Sequence, residues 1–246
     1  MPRFFVSPEN INGNTVTIKG EDVIHIKRVL RLSIDDRITV CDGNEQDYFV
    51  SITGIENDAV TGKILDISKN SNEPPVKITL YQGLPKADKF EYIVQKCIEL
   101  GVDEVVPTIT ERTVVRLDSN KDIEKKLTRW RKIALEAAKQ CNRGKIPNIS
   151  EPVYLNDAII ESVKRNSGVI AYENAENRPQ SVENISNAVS VFIGPEGGFT
   201  PEEVSLAQSS GIKPVSLGPR ILRTETAGVV LVTIIMNKFG DIRPFG

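Results

Sequence analysis

The sequence contains very little histidine or cysteine. His25 is its only histidine, which argues against a histidine-based catalytic triad and excludes a His-Glu-x-x-His metal site. The three cysteines, Cys41, Cys97 and Cys141, are far apart, odd in number and never arranged as a Cys-x-x-Cys pair. This spacing indicates neither a disulfide framework nor a zinc site, so no metal is expected.

Long apolar runs and an excess of basic charge are also absent. No run reaches the roughly eighteen residues that a membrane-spanning helix needs, and no charged-then-apolar leader opens the chain. We therefore expect a cytoplasmic protein that does not enter membranes. The formal net charge is −2 at pH 7, so any contact with nucleic acid must come from a local basic patch.

Residues 1–73 are predicted to form a small β-rich domain. Short runs rich in β-branched and aromatic residues are separated by turn signals, and their regular spacing suggests a barrel. These runs are 3–6, 15–19, 37–41, 48–52 and 60–65.

One predicted helix, from Glu21 to about Leu32, interrupts the strands of this domain. It carries Lys27, Arg28 and Arg31 about one helical turn apart. These cations either contact phosphates or form a solvated basic face without a partner.

Residues 70–75, polar and with paired prolines, are the predicted linker to a second domain over 74–246. Short apolar runs alternate there with longer helical patterns, which predicts a parallel α/β sheet. The predicted strands are 77–81, 103–107, 168–172, 189–193 and 214–217, and the predicted helices are near 86–100, 121–142 and 226–239.

The predicted helix over 121–142 has the densest basic surface in the chain. Its apolar residues repeat at helical spacing along one face, and lysine and arginine side chains, including Arg129, occupy the other sides. This surface is either a solvated helix face or, for an RNA substrate, a second phosphate-contacting surface. Gln140 and Arg143, near the helix end, are predicted to face the substrate.

Two glycine-marked loops lie close together near the C-terminus. The first, Gly-Pro-Glu-Gly-Gly-Phe at 194–199, follows a short apolar strand and precedes Thr-Pro-Glu-Glu at 200–203, which is typical of a helix start. The second, at 217–227, follows another strand and contains Arg223 and Glu225. Because ligands bind beyond the carboxyl ends of parallel strands, the pair of loops predicts a ligand site, although each could instead be only a tight turn.

The composition of the loops suggests which ligand they would hold. Bare glycine backbone beside Leu217, Ile221 and Leu222 offers amide donors and apolar walls, which suit an adenine ring better than a pyrophosphate. Neither the Gly-x-Gly-x-x-Gly nor the Gly-x-x-x-x-Gly-Lys-Ser/Thr fingerprint occurs there, so a dinucleotide or nucleoside triphosphate is less suitable. Tyr172, at the end of a predicted strand, either forms a wall of this pocket or simply packs.

With these residues in view, the sequence resembles the RsmE family of 16S rRNA uridine-N3 methyltransferases, which belong to the SPOUT superfamily. The resemblance rests first on the two loops and extends over the whole chain. Its other parts are Pro-Arg-Phe-Phe at 2–5, His-Ile-Lys-Arg-Val-Leu-Arg at 25–31, Glu-Leu-Gly-Val at 99–102 and Glu-Arg-Thr at 111–113.

The resemblance implies a fold, a cofactor and partners. The expected fold is an N-terminal PUA-like β-barrel over 1–73 that helps to hold RNA, and a C-terminal SPOUT α/β domain over 74–246 with a trefoil knot. The expected cofactor is S-adenosylmethionine, and the expected partner is 16S rRNA within the assembled small subunit. A homodimer is also implied, and the almost wholly apolar helix at 226–239 supports it, because such a helix must be buried on more than one side.

Site residues follow from the same resemblance and from the chemistry of uridine N3. For catalysis we assign Arg223 to stabilising negative charge on the uracil and Glu225 to accepting the N3 proton, although Glu225 could instead only stabilise the start of the last helix. The expected cofactor-binding residues are Tyr172, Ile193, Gly194, Pro195, Glu196, Gly197, Gly198, Leu217, Gly218, Ile221, Leu222 and Thr226. The expected RNA-binding residues are Arg3, Lys27, Arg28, Arg31, Arg129, Gln140 and Arg143.

Two other functions remain open at the level of sequence. A different SPOUT activity, such as ribose 2′-O-methylation of tRNA or rRNA, would be served by the same loops. A non-enzymatic RNA-binding assembly factor would retain the fold, although the intact loops argue against it.

Overall fold

The structure, a computed structural model, describes residues 1–117, 119–164, 167–176 and 187–243. The chain divides into two compact units, one of Met1–Glu73 with Ala138–Ile146 and the other of Pro74–Ala137 with Pro147–Gly246. The return of residues 138–146 to the first unit was not anticipated from the sequence, because it depends on contacts between residues far apart along the chain.

The first unit contains one six-stranded sheet. Its strands are β1 (Arg3–Phe5), β2 (Ile11–Asn12), β3 (Thr15–Lys19), β4 (Arg37–Cys41), β5 (Gln46–Ile55) and β6 (Ala59–Lys69). They are ordered β1-β4-β5-β6-β3-β2, and every neighbouring pair is antiparallel except β1 and β4. The predicted strands are therefore confirmed, with β5 and β6 longer than expected.

The predicted helix of this unit is irregular. A single α-turn, α1 (Glu21–Ile24), continues into a π-helix (His25–Leu30) that ends at Arg31 in the left-handed conformation. Val23 and Ile26 are buried in the core of the unit with Phe4, while Val29 is 68% exposed. The wider π-turn changes which side chains face solvent, because its residues no longer follow the 3.6-residue period.

The second unit contains a seven-stranded parallel sheet covered by helices. Its elements are β7 (Lys77–Gly83), α2 (Lys89–Glu99), β8 (Glu104–Ile109), α3 (Asn120–Gln140), β9 (Asn148–Ile149), β10 (Val153–Tyr154), α4 (Leu155–Lys164), β11 (Ser167–Ala171), β12 (Ala188–Ile193), α5 (Pro201–Ser209), β13 (Lys213–Val215) and α6 (Thr224–Phe239). The α/β prediction is confirmed: the strand order is β10-β8-β7-β12-β11-β13, with β9 paired to β8.

Two apolar clusters cover the two faces of this sheet. Successive side chains of β7 point to opposite faces of the sheet. Ile78 and Leu80 belong to the cluster formed with α2, α3 and α6, whereas Tyr81 belongs to the cluster formed with α4 and α5. A sheet covered on both faces opens to ligands only at its edges and at the ends of its strands.

Strand order decides which strand ends become neighbours. β12 lies between β7 and β11, and β13 lies on the far side of β11, so the chain returns twice to the same part of the sheet. Because all of these strands are parallel, the loops that follow them leave the sheet at the same edge.

The last helix has one face in the core and another that is only half-buried. Leu231, Val232, Ile235 and Met236 are buried, and the half-buried residues are Val229, Val230, Thr233 and Ile234. Among the residues that the structure describes, no helix is both long and apolar enough to cross a membrane.

Candidate active site

The loops that follow β11, β12 and β13 surround one cavity of about 710 Å³ in the second unit. The glycine loop (residues 194–199) forms one side of it. The arginine loop (residues 216–223) forms another, and Tyr172, Glu173 and Asn174 complete the wall. The two loops predicted from the sequence are therefore brought together at the carboxyl edge of the sheet.

The glycine loop turns sharply because two of its positions have a backbone geometry that disfavours any residue with a Cβ atom. A Cβ on Gly194 would lie 2.9 Å from the backbone carbon of Gly198, a distance that real Cβ atoms essentially never show. Gly198 itself has φ +68°, in the left-handed region. The chain then enters α5 through the predicted capping box, in which Thr200 and Glu203 each bind the other's backbone N–H.

A buried hydroxyl connects the glycine loop to the end of the arginine loop. Thr224 Oγ1 donates to the carbonyl oxygen of Gly194 at 2.6 Å and accepts from Gln82 Nε2 at 2.8 Å. Gln82 is fully buried in β7, next to β12. These bonds fix the first turn of α6 against the ends of two central strands, so the positions of both loops depend on them.

Charged contacts hold the outer part of the glycine loop. Glu196 Oε1 accepts from Lys89 Nζ at 2.9 Å and from the backbone N–H of Lys86 at 3.0 Å. Partial burial acts to raise the pKa of Glu196, but the hydrogen bonds from Lys89 and from backbone N–H groups outweigh it, and the pKa lies below its ordinary value. The carboxylate is therefore charged at neutral pH.

Arg112 contacts the glycine loop from the segment that follows β8. Its Nη1 donates to the carbonyl oxygens of Gly197 at 2.8 Å and Phe199 at 3.3 Å. Next to it, the backbone N–H of Glu111 donates to Glu203 Oε1 at 2.8 Å. Carbonyl groups that would otherwise lack partners in this turn are thus satisfied by a residue more than eighty positions away in sequence.

The arginine loop supplies apolar surface and positive charge to the cavity. Leu217 and Leu222 are half-buried, whereas Ile221 is 88% exposed, which is unusual for an isoleucine and leaves its side chain available to a ligand. Arg220 and Arg223 also line the cavity and are exposed. Neither is ion-paired with any residue in the part of the chain that the structure describes.

Most of the predicted cofactor residues line this cavity. They are Tyr172, Ile193, Gly194, Pro195, Glu196, Gly197, Gly198, Leu217, Gly218, Ile221 and Leu222. Thr226 is not among the lining residues: it is exposed in the first turn of α6. Thr224 and Ala227 line it instead, because residues three positions apart share one face of a helix and Thr226 lies on another face.

The two predicted catalytic residues differ in position. Arg223 lines the cavity, whereas Glu225 does not. Glu225 Oε2 is buried, has no hydrogen-bond partner among the described residues and lies 3.9 Å from Lys89 Nζ. Lys89 therefore lines the cavity, whereas Glu225, which was predicted to act there, does not.

Two of the predicted RNA-binding arginines are buried, which argues against a contact with RNA. The side chain of Arg3 is 6% exposed and forms an ion pair with Asp47. That of Arg143 is 4% exposed and its Nη2 donates to Glu73 Oε2 at 2.8 Å. Both charges are compensated inside the first unit and cannot reach a phosphate without breaking these pairs, which is costly for buried ions.

The other predicted RNA contacts lie at or near the surface. Arg28 and Arg31 are exposed at the end of the π-helix, and Lys27 Nζ donates to the carbonyl oxygen of Glu56 at 2.9 Å. Gln140 is exposed at the end of α3. Arg129 on the same helix is 63% exposed and paired with Glu91 at 2.7 Å.

Sequence reasoning missed several residues that build the site. Gln82, Lys89, Arg112 and Thr224 act through contacts between distant segments. A glutamine inside an apolar strand was the one visible signal, because a buried amide needs a partner. The sequence alone did not indicate which partner it has.

Comparison with known proteins identifies chains that are similar to this one over most of its length. Residues 72–236 match a family model described as an RNA methyltransferase domain, and residues 18–65 match one described as an RNA methyltransferase PUA domain. The chain is 35% identical over 230 residues to ribosomal RNA small subunit methyltransferase E of Bacillus subtilis, covering 90% of this chain and 89% of that protein.

Solved structures give the same result. Ribosomal RNA small subunit methyltransferase E from Neisseria gonorrhoeae, bound to S-adenosyl methionine, has a TM-score of 0.91 and 33% identity, covering 99% of this chain and all of that one. A putative methyltransferase from Legionella pneumophila, in complex with the bound cofactor SAM, has a TM-score of 0.89 and 32% identity, covering 98% of each chain.

The contact between Lys89 and Glu196 predicts how Glu196 titrates. Its carboxyl group should titrate below the ordinary value of 4.5. Because the folded-state pKa is lowered, the contribution of this group to stability is present above that ordinary value and is lost as the pH falls through the folded-state pKa. NMR of the side-chain carboxyl carbon would measure the midpoint, and Lys89→Met should raise it.

Lys96→Met is the matched control for this titration. Lys96 lies on the same helix but pairs with Glu99, so its loss should leave the Glu196 midpoint unchanged. An equal midpoint in the wild type and in Lys89→Met would contradict the assignment of the low pKa to Lys89.

Proposed function

Because the chain belongs to the ribosomal RNA small subunit methyltransferase E family, we propose that it transfers a methyl group from S-adenosylmethionine to N3 of a uridine in 16S rRNA. One observation carries the proposal. The glycine and arginine loops, joined through Thr224, enclose a cavity with exposed glycine backbone, apolar walls and arginines that have no ion-pair partner among the described residues. Two relatives that share this fold were solved with the methyl donor bound.

The residues of the cavity fit S-adenosylmethionine. A volume of about 710 Å³ lies within the usual range for small-molecule sites. Leu217, Ile221 and Leu222 would contact the adenine ring, and the backbone of the glycine loop and Gly218 would supply hydrogen bonds to it. When bound, the cofactor supplies a methyl group on a positively charged sulfur, so the protein has only to position the base and make N3 nucleophilic.

Arg223 is proposed to stabilise the uracil as N3 loses its proton to solvent. The negative charge that then develops spreads onto the flanking carbonyl oxygens, and a guanidinium is well suited to donate to them. Arg223 has no ion-pair partner in the described part of the chain, so its charge is available to the substrate. The location of Glu225 outside the cavity wall supports the alternative role for that residue, which is to stabilise the start of α6.

RNA would bind through exposed cations. N3 is inaccessible in a paired base, so the target uridine has to leave its stack and enter the cavity. In the second unit, Lys121, Lys125 and Arg129 lie at i, i+4 and i+8 along α3 and are all exposed, which forms a basic stripe about 12 Å long by the helical rise. In the first unit, Arg28 and Arg31 are the exposed candidates.

We also propose the finer features of the fold that the family implies. The six-stranded sheet over 1–73 would close as a PUA-like barrel, which its mostly antiparallel order supports. The SPOUT domain over 74–246 would contain the trefoil knot, which is supported by the position of β12 between β7 and β11 and by the return of Thr224 to Gly194. A crystal structure in which the segments after β12 and β13 do not pass through one another would refute the knot.

A homodimer acting on the assembled small subunit completes the proposal. The half-buried apolar face of α6, with Val230 and Ile234, would lie at the dimer interface. A protein that acts on ribosomal RNA in this way would work in the cytoplasm.

The dimer predicts a mass in solution. Light scattering at micromolar protein should give about twice the chain mass of 27.2 kDa, because burying the apolar face of α6 favours association. A mass equal to one chain under these conditions would count against the dimer without affecting the proposed chemistry.

The reaction itself can be tested on ribosomal RNA. Small-subunit rRNA from a strain lacking this chain should gain N3-methyluridine after incubation with the purified protein and S-adenosylmethionine, as measured by nucleoside mass spectrometry. Gly194→Ala is a suitable inactive control, because the added Cβ would collide with the backbone of Gly198. A 2′-O-methylated nucleoside would instead indicate ribose chemistry, and no methylation of free rRNA or intact subunits would contradict the proposal.

Arg223 provides a test of the chemical step. Arg223→Ala should lower kcat by about 10²–10³-fold, as is typical when one group that stabilises a developing charge is removed. The Kd for S-adenosylmethionine, measured by calorimetry, should change by less than about 3-fold. This is a small difference in binding free energy, because a tenfold change in Kd corresponds to about 1.4 kcal/mol. Lys213→Ala, which removes an exposed cation of β13 outside the cavity, is the control. An unchanged kcat would remove Arg223 from the mechanism.

A further inference from the structure

Lys89 lies between two carboxylates at the cavity wall. Its Nζ donates to Glu196 Oε1 at 2.9 Å and lies 3.9 Å from Glu225 Oε2. The three side chains come from α2, from the glycine loop and from the first turn of α6. One cation of α2 therefore contacts the two other segments at the same point.

The position of Lys89 is unfavourable for α2 considered alone. Lys89 is the first residue of the helix, where the partial positive charge of the N-terminus disfavours a cation. Glu225, in contrast, is in the first turn of α6, where a carboxylate is favoured. The charge of Lys89 is thus compensated by Glu196 and Glu225 rather than by its own helix.

The two carboxylates depend on Lys89 to different degrees. Glu196 Oε1 has a second donor, the backbone N–H of Lys86 at 3.0 Å. Glu225 Oε2 is buried without any hydrogen bond among the described residues, and Lys89 is the cation within ion-pair distance. Removing the ammonium would leave Glu225 as an uncompensated, partly buried charge, which favours a rearrangement of the first turn of α6.

We propose that Lys89 is a positioning residue of the methyl-transfer site, whose charge holds the glycine loop and the first turn of α6 at a fixed separation. The inference rests on the proposed function for the identity of the ligand in the cavity. Both loops that would contact the cofactor are anchored at these two points, since Glu196 belongs to the glycine loop and Glu225 lies in the first turn of α6, directly after the arginine loop. Lys89 acts on the cofactor through both of them.

The test compares charge with side-chain size at position 89. Lys89→Met keeps the length of the side chain and removes the charge, and it should raise the Kd for S-adenosylmethionine by about 3- to 10-fold, the range expected for two partly exposed ion pairs. Lys89→Arg keeps the charge and should remain within about 2-fold of the wild type, well inside the range of such a pair. Calorimetry on the full chain measures both, with thermal unfolding to verify that each variant is folded.

A double-mutant cycle separates positioning from a general structural effect. Glu196→Gln should weaken cofactor binding, and adding Lys89→Met to it should cost less than the sum of the two single changes, because they remove one shared contact. Lys96→Met, which breaks the Lys96–Glu99 pair on the same helix, should leave the Kd unchanged.

The outcomes distinguish this inference from the proposed function. If wild-type protein binds no S-adenosylmethionine, the proposed function fails. If the wild type binds it and folded Lys89→Met binds equally well, or if the Lys89 and Glu196 changes are fully additive, the positioning role of Lys89 is refuted. If Lys89→Arg weakens binding as much as Lys89→Met does, the positioning role is also refuted, because charge would then not be the property required.

Discussion

The hydroxyl of Thr224 is the contact on which the arrangement of the site depends. It joins the carbonyl of Gly194, at the end of β12, to Gln82 in β7, and both side chains are buried. Hydrogen bonds in such surroundings are difficult to replace, since water cannot substitute for a lost partner. The glycine loop and the arginine loop therefore share one anchor, and the cavity between them is a consequence of strand order as much as of loop composition.

Ion pairing determines which cations of the cavity are available to a ligand. The cations of the cavity fall into two groups: Lys89 is compensated by carboxylates, whereas Arg220 and Arg223 are not ion-paired among the described residues. A compensated cation stabilises the geometry of the protein, while an uncompensated one remains available to a ligand that carries or develops negative charge. This division matches a reaction in which the cofactor brings the positive charge and the base becomes negative.

The same distinction separates the cations outside the cavity. Arg3 and Arg143 are as basic as Arg28 and Arg31, yet the first two are buried with Asp47 and Glu73 and the others are exposed. A count of positive residues thus overestimates the surface available to RNA. With a formal net charge of −2, contact with RNA depends on the exposed positions and not on an overall attraction.

Local sequence determined most of the secondary structure, the class of each unit and the two loops, because strand periodicity, turn residues and the Thr200 capping box act over a few neighbouring positions. The resemblance in these same loops indicated the family and the cofactor. Only the tertiary structure decided that residues 138–146 belong with the first unit, that Arg3 and Arg143 are internal, and that Lys89 rather than Glu225 lines the cavity. The physical reason is that burial and ion pairing are set by residues distant in sequence, such as Lys89 and Glu196, whose proximity no local pattern records.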